Sequence, residues 1–339
     1  MKINCKSYLA AAAAMLCATA QAAPYHVIAP MSDDDEGAMV YMVNYDTGAT
    51  IDSVLVAHGA AEFRGEIDEP VLARLLLDGQ RYATFILEEG GTAINKERNA
   101  TGSMLNDRLN AISGEIYSMD AKFSAAADEQ ERQAIYDAYT KFVDTTISEN
   151  ADNPISYYLF LDMAPALSPA QFAEAIAKYP SLAGYERVQR YQKSFASKAA
   201  TAEGQPFTDF EIEYNGTTHR LSDVVGHGDY VLVDYWASWC GPCIRQTAVI
   251  KDIYNEYKDK GLKVLGVAVW DEPDATLAAI EKHQLPWECW LNGQSIPTDL
   301  YGIMGIPCII LYGPDGTILS RDKQSEELKA AVRDALDKN

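Results

Sequence analysis

Residues 230–243 read YVLVDYWASWCGPC, and two cysteines two residues apart at the end of an apolar run decide how the last third of the chain is built. Tyr230 to Val233 has the composition of a buried strand, and Ile244 to Tyr257 has the periodicity of an amphipathic helix. The stretch reads as a strand, a sharp turn and a helix whose first turn holds both sulfurs. Unpaired backbone N–H groups at a helix start favour an anion, so Cys240 is expected to ionise more readily than an ordinary thiol, with Cys243 farther inside the helix. A fall in its pKa from about 8.5 to about 7 would raise the thiolate fraction at neutral pH from a few per cent to near half. The pair reads as an active dithiol.

The rest of the cysteine inventory supports a local redox site. Of 6 cysteines, Cys5 and Cys17 lie at the N-terminus, while Cys240, Cys243, Cys289 and Cys308 all fall in the last third. A secreted protein stapled by disulfides would spread them through its small domains. At the N-terminus, Lys2 and Lys6, the apolar run Tyr8 to Ala18 and the small-x-small triplet Ala20-Gln21-Ala22 form the pattern of a secretory signal peptide over 1–22. Bulky Leu16 before Cys17 does not suit lipid attachment. No later run is long enough to span a membrane, so the expectation is a protein that is periplasmic or otherwise exported, with its signal peptide cleaved and no lipid anchor. A length of 339 residues predicts two or three domains, and 48% hydrophobic with 23% charged residues is a globular composition. The net charge of −21 argues against a nucleic-acid partner and gives no attraction to an anionic membrane; it serves solubility.

Three regions follow along the chain. Residues 23–101 carry short alternating runs such as Met39 to Tyr45, Thr50 to Val56, Val71 to Leu77 and Tyr82 to Leu87, which predict an antiparallel β-sandwich or small barrel. The acidic run Asp33 to Glu36 lacks the glycine-spaced ligands of a calcium loop and reads as a solvated loop. Residues 102–200 are predicted helical. Leu105, Leu109, Ile112, Ile116, Met119 and Phe123 share one helix face, a second helix covers Glu129 to Ile147, and a further one runs from about Tyr185 to Lys198. Asn153-Pro154 and Ser168-Pro169, the latter with Gln171, have the form of helix N-caps. The apolar stripe of the first helix is expected to pack within its own chain. Residues 204–339 alternate strands and helices, with Asn215-Gly216 marking a tight hairpin turn, and predict an α/β sheet with a parallel pair and then an antiparallel hairpin.

This last region closely resembles the thioredoxin superfamily, and within it the exported TlpA- and ResA-like branch. The resemblance rests on WCGPC, on Asp234 six residues before Cys240, and on Gly305-Ile306-Pro307 downstream. It implies a thioredoxin-like fold and three catalytic residues. Cys240 would be the nucleophile that forms a mixed disulfide, Cys243 the thiol that resolves it, and Asp234 a buried carboxylate that takes the proton from Cys243. It also implies a substrate-binding surface from Trp239, Gly241, Pro242, Ile306 and Pro307, with Pro307 at the family's cis-proline position. Trp236 would pack beneath the turn. Residues 45–54, 63–90 and 100–110 similarly resemble the DUF4369 domain, which brings no known chemistry.

Two departures from the branch matter: Gln246 and Ala248 stand where a glutamate and a proline are common, so proton transfer would rest more heavily on Asp234. Cys308, directly after Pro307, is placed near the active site by that adjacency. Cys289 and Cys308 are left as buried inert thiols, a second disulfide, or a resolving or regulatory pair. One close cysteine pair with no adjacent histidine does not make a zinc site, and no cofactor or metal is expected. His26, His58, His219, His227 and His283 show no ligand spacing. The expected function is an exported thiol-disulfide oxidoreductase that reduces disulfide-containing client proteins and is recycled by a thiol-disulfide electron donor protein. The Gly-Pro dipeptide favours reduction. The alternatives are an oxidase or isomerase on the same dithiol, and a surface binding or scaffold protein with a redox-sensing domain.

Overall fold

The computed structural model describes residues 22–337. The signal peptide expected over 1–22 therefore lies outside the described residues, except for Ala22. The chain divides into two compact units, one ending at Glu186 and the other starting at Arg187.

The first unit opens with eight strands: β1 (Ala23–Pro30), β2 (Met39–Asn44), β3 (Thr50–Leu55), β4 (Ala60–Ile67), β5 (Val71–Leu77), β6 (Gln80–Leu87), β7 (Gly90–Ile94) and β8 (Ala100–Thr101). They form two four-stranded sheets, ordered β4-β1-β7-β8 and β3-β2-β5-β6. Alternation decides what is buried: Val27 and Phe63 of the first sheet meet Val40, Met42, Leu75 and Phe85 of the second in a single apolar core. This is the expected sandwich, but not antiparallel throughout. β1 and β7 run parallel. Five strands separate them in sequence, so no hairpin forces an antiparallel pairing. The acidic run becomes a short 3-10 turn, Asp33–Asp35, capped by Ser32.

Four helices complete this unit: α1 (Met104–Ala125), α2 (Glu129–Glu149), α3 (Pro154–Met163) and α4 (Pro169–Lys178). The predicted caps are in place. The Asn153 side chain accepts from the Ile155 N–H at 3.0 Å, and Ser168 and Gln171 form a reciprocal capping box. Ser103 makes no side-chain cap for α1; instead the buried Glu88 carboxylate accepts from the N–H groups of Leu105 (2.7 Å) and Asn106 (3.2 Å). A carboxylate there suits the positive end of the helix. The α1 stripe packs as expected only in its first half. Leu105, Leu109 and Ile112 are buried, whereas Ile116, Met119 and Phe123 line an open groove with Tyr136 and Tyr139 of α2.

The second unit contains α5 (Glu186–Ala200, from Arg187 onward), β9 (Glu211–Tyr214), β10 (Thr217–Arg220), β11 (Tyr230–Trp236), α6 (Gly241–Tyr257), β12 (Leu262–Ala268), α7 (Pro273–His283), β13 (Glu288–Trp290), α8 (Ile296–Tyr301), β14 (Cys308–Tyr312), β15 (Ile318–Arg321) and α9 (Ser325–Leu336). β9 and β10 form the Asn215-Gly216 hairpin, with both turn residues at positive φ (50° and 74°). The five-stranded sheet has the order β13-β12-β11-β14-β15. β11 and β12 are parallel, β12 and β13 are parallel, and β14 runs antiparallel to both β11 and β15.

Central strand β11 is apolar on both sides, and its alternation builds two cores. Val231, Val233 and Tyr235 face a core that includes Ile212 of β9, Tyr301 of α8 and Cys308. Leu232 faces the opposite core, with Ile250 and Ile253 of α6 and Leu328 and Val332 of α9. Asp234 and Trp236, an even number of residues along, share that second face.

α5 is fastened to this unit by backbone contacts. Gly302, at φ 62°, follows α8, and a Cβ there would lie 2.6 Å from the Lys198 nitrogen in α5 and closer still to the Ser194 oxygen. The buried Arg321 guanidinium donates to the Thr201 carbonyl (2.8 Å) and hydroxyl (2.7 Å) and to the Tyr301 carbonyl (3.0 Å). Gly302→Ala is therefore expected to destabilise the second unit by about 2 kcal/mol or more, since both its dihedral and its contacts are backbone-limited. Urea denaturation of the purified chain, read by tryptophan fluorescence, would reveal the loss.

Candidate active site

The turn after β11 brings the two sulfurs together at a helix start. Cys240 is the N-cap of α6, with Pro242 in the first turn where no N–H partner is needed. Its Sγ accepts from the Cys243 N–H at 3.1 Å and is disulfide-bonded to Cys243, with the two Cα atoms 5.2 Å apart. The positive end of α6 thus points at Cys240, and a thiolate released there would take over that N–H hydrogen bond. Both cysteines are buried, Cys243 completely, whereas Trp239, Gly241 and Pro242 around them are exposed.

The peptide bond between Ile306 and Pro307 is cis. The Ile306 carbonyl oxygen lies 3.8 Å from Cys240 Sγ. Trp239, Gly241, Pro242, Ile306 and Pro307, the residues expected to bind substrate, therefore cluster around Cys240. The Trp239 indole is held by donating to the Trp270 carbonyl at 3.0 Å.

A residue that the sequence reading did not single out fixes this loop. Asp271, buried just after β12, accepts from the Ser238 N–H (2.7 Å) and hydroxyl (2.9 Å) and from the Thr276 hydroxyl (2.7 Å). It ties the segment before the dithiol to the start of α7. An Asp two residues before a helical proline was the only local signal, and it points to a helix start rather than to a partner 33 residues away.

Asp234 lies on the α6-covered face of β11 and is almost fully buried, with Oδ1 lacking any protein hydrogen-bond partner. Burial alone pushes its pKa up from 3.8 to about 7. A carboxyl poised near neutrality can hold or release a proton under ordinary conditions. Gln246, at the position where a glutamate was of interest, is occupied otherwise. Its Nε2 donates to Ser325 Oγ (3.1 Å) and its Oε1 accepts from the Ser325 N–H (3.0 Å), which anchors the start of α9.

The other two cysteines do not pair. Cys289 on β13 shares a row with Gly266 and Asp234, whereas Cys308 on β14 is opposite Tyr235 and so faces the other core. Three strand spacings of about 4.8 Å separate their strands, well beyond disulfide reach. A second disulfide is thereby ruled out for this fold. The expected nearness of Cys308 to the dithiol is also corrected: alternation after Pro307 turns it away, and its thiol donates to Asp322 at 3.2 Å. Burial pushes both thiols up, Cys289 to about 12, so neither is a ready nucleophile.

This arrangement of sheet, dithiol and proline loop can be compared with known proteins. Residues 203–321 match the AhpC/TSA family. They form a thioredoxin-like domain of that family. Residues 25–109 match the domain of unknown function DUF4369. The thiol-disulfide oxidoreductase ResA of Geobacillus kaustophilus is 29% identical over 129 residues, 38% of this chain and 73% of that protein. ResA of Bacillus subtilis is 26% identical over 130 residues, 38% of this chain and 72% of its own. A solved thiol-disulfide oxidoreductase from Bacteroides fragilis is 31% identical, with 38% of this chain and 98% of that one covered and a TM-score of 0.35. All three similarities extend over little more than the AhpC/TSA-family domain.

The buried carboxyl in this domain has a thermodynamic signature. The unfolded chain ionises Asp234 near 3.8 but the folded chain not until about 7, so the folded state binds the extra proton between them. Stability therefore falls as pH rises through that window, by about 4 kcal/mol, and levels off above it. Asp234→Asn removes the slope. Urea denaturation is expected to show the variant more stable than wild type near about pH 8, with the gain shrinking towards about pH 4. A constant difference across that range would contradict the raised pKa.

Proposed function

We propose that the chain is an exported thiol-disulfide oxidoreductase that reduces disulfides in client proteins through Cys240 and Cys243. The observation that carries this reading is the convergence at one point of a helix-start Cys240, its partner Cys243 and the Ile306 carbonyl before cis-Pro307. In the reduced enzyme the Cys240 thiolate attacks one sulfur of a client disulfide, and the other client sulfur leaves as a thiolate that takes a proton from solvent. Asp234, as the carboxylate, accepts the Cys243 proton. The Cys243 thiolate then attacks Cys240 Sγ, re-forms the Cys240–Cys243 disulfide and expels the second client thiolate. Two electrons pass to the client, and a thiol-disulfide donor protein returns them.

Trp239, Gly241, Pro242, Ile306 and Pro307 present the surface on which an extended client segment would lie, with the Ile306 backbone as its pairing edge. The reading of an exported protein rests on the N-terminal sequence pattern and on relatives of the ResA type. Among the described residues no helix is long and apolar enough to cross a membrane.

In an insulin-reduction assay, Cys240→Ser is expected to abolish turnover and Asp234→Asn to slow it by about tenfold or more while the fold is retained. A wild-type chain that fails to reduce insulin would reject the enzyme reading in favour of a binding or scaffold protein, and activity that survives Cys240→Ser would remove the nucleophile's role from Cys240. The direction of electron flow is set by the reduction potential, measured against glutathione. A value near that of thioredoxin, about −270 mV, fits a reductant, and one near about −120 mV, as in DsbA, would make the protein an oxidant. Mixed disulfides trapped with Cys243→Ser are expected to contain both clients and the electron donor.

A further inference from the structure

Beneath the dithiol, on the α6-covered face of the sheet, buried polar groups converge without partners. Asp234, Gly266 and Cys289 occupy one row across β11, β12 and β13. Trp236 lies two residues beyond Asp234 and Trp287 two residues before Cys289, so all their side chains share a face. The two indoles reach towards each other over Gly266. A Cβ on Gly266 would lie 2.7 Å from Cys289 Sγ, 3.1 Å from Trp236 Nε1 and 3.5 Å from Trp287 Nε1. Nε1 of both tryptophans and Oδ1 of Asp234 are buried with no hydrogen-bond partner in the protein. The three residues are 2%, 8% and 3% exposed (Trp236, Trp287, Asp234), so bulk water cannot satisfy them. Leaving three such atoms unpaired in one small region carries the full desolvation penalty of each.

We infer that Trp236, Trp287, Cys289 and Asp234 bind an internal water molecule above Gly266. The donors and acceptors match a single water. It accepts from the two indole N–H groups and donates one hydrogen to Asp234 Oδ1 and the other to Cys289 Sγ, which makes four partners for a buried site. The Cys289 thiol remains free to direct its own weak hydrogen towards the Trp287 carbonyl, 3.9 Å away. Glycine at 266 is required because any side chain would meet the sulfur. Two indole dipoles acting through the water favour the ionised form of Asp234, offsetting part of its burial. Trp236 and Trp287 are thus positioning residues for the carboxylate, not participants in sulfur exchange.

The titratable groups on this face are few. β13 contributes Cys289, whose pKa is raised in part by the Asp234 charge, and α6 contributes Cys243 to the cluster around Trp236. α7 presents Ala279 and Ile280, and β14 presents Ile309. α6 also brings Tyr254, whose ring meets that of Trp287 edge-on, and Tyr257, which donates to Asp337. The two indole N–H groups are the buried donors near Gly266 that have no protein partner.

The consequence for turnover rests on the proton-acceptor role given to Asp234 above, but the site can be tested without it. In the full chain, the Asp234 carboxyl stretch is followed by infrared spectroscopy across pH, with Asp234→Asn to assign the band. Trp287→Phe keeps the ring and removes the N–H, and is expected to move the titration midpoint upward by about one pH unit. An unchanged midpoint in a folded variant would overturn the site. If the midpoint moves but the pH profile of insulin reduction does not, the water site stands and the role of Asp234 as proton acceptor falls. A measurement on wild type needs no variant: both indole N–H protons are expected to show nuclear Overhauser contacts to one long-lived water. Contacts to the Asp234 β-protons alone, with no water signal, would show a dry cluster and defeat the inference.

Discussion

The structure of the second unit depends on one constraint: β11 is the middle strand of five and has a core on each side. A strand in that position has no solvent face on which to place a charge. A carboxyl at Asp234 must therefore be held in an apolar setting, and its affinity for a proton rises accordingly. The same strand ends in the turn that starts α6. The position that makes Asp234 costly thus also places it under a helix whose N-terminus favours a thiolate. Electrostatics of opposite kinds, one disfavouring an anion and one favouring it, are set a few residues apart by a single strand and its turn.

The two faces of the sheet divide the work. On one, tyrosines 235, 301 and 312 pack with Cys308, while Arg321 binds backbone carbonyls and so links α5 and α8 to the sheet edge. Its polar groups are paired, and it is a structural face. The other carries Asp234, the dithiol, Cys289 and two indoles with unpaired nitrogens. Buried polar atoms are nearly always satisfied in folded proteins, so the concentration of unpartnered ones beneath the sulfurs sets this face apart from the other. Asp271 and Gln246 act at the margins. One fixes the loop that presents Trp239 and Cys240, and the other fixes the start of α9.

Much of this was legible in the chain because the signals are local. Alternation gave the strands, Asn-Gly the hairpin, and Asn153, Ser168 and Gln171 the helix starts, since each is satisfied within a few residues. The dithiol was legible for the same reason, because four residues, Cys240 to Cys243, and a helix start suffice to define it. Asp271 was not, since its partner Ser238 lies a helix and a strand away in sequence. The fate of Cys308 was misjudged because adjacency to Pro307 says nothing about which side of the sheet a side chain takes. The parallel pairing of β1 with β7 was hidden for a related reason: pairing between distant strands leaves no turn to read.

By itself the sequence determined the main strands and helices of the second unit apart from β13 and α8, the place of the two sulfurs at a helix start, and the residues around them, because these follow from hydrophobic period and turn chemistry over short spans. Only the tertiary structure decided that Cys289 joins Asp234, Trp236 and Trp287 on one face of the sheet while Cys308 faces away. It also decided that α5 from Arg187 onward packs with this unit and that Glu88 caps α1. The physical reason is register. Which strands lie side by side, and which residue stands opposite which, is fixed by packing among segments far apart in the chain, and a one-residue change in it reverses every face.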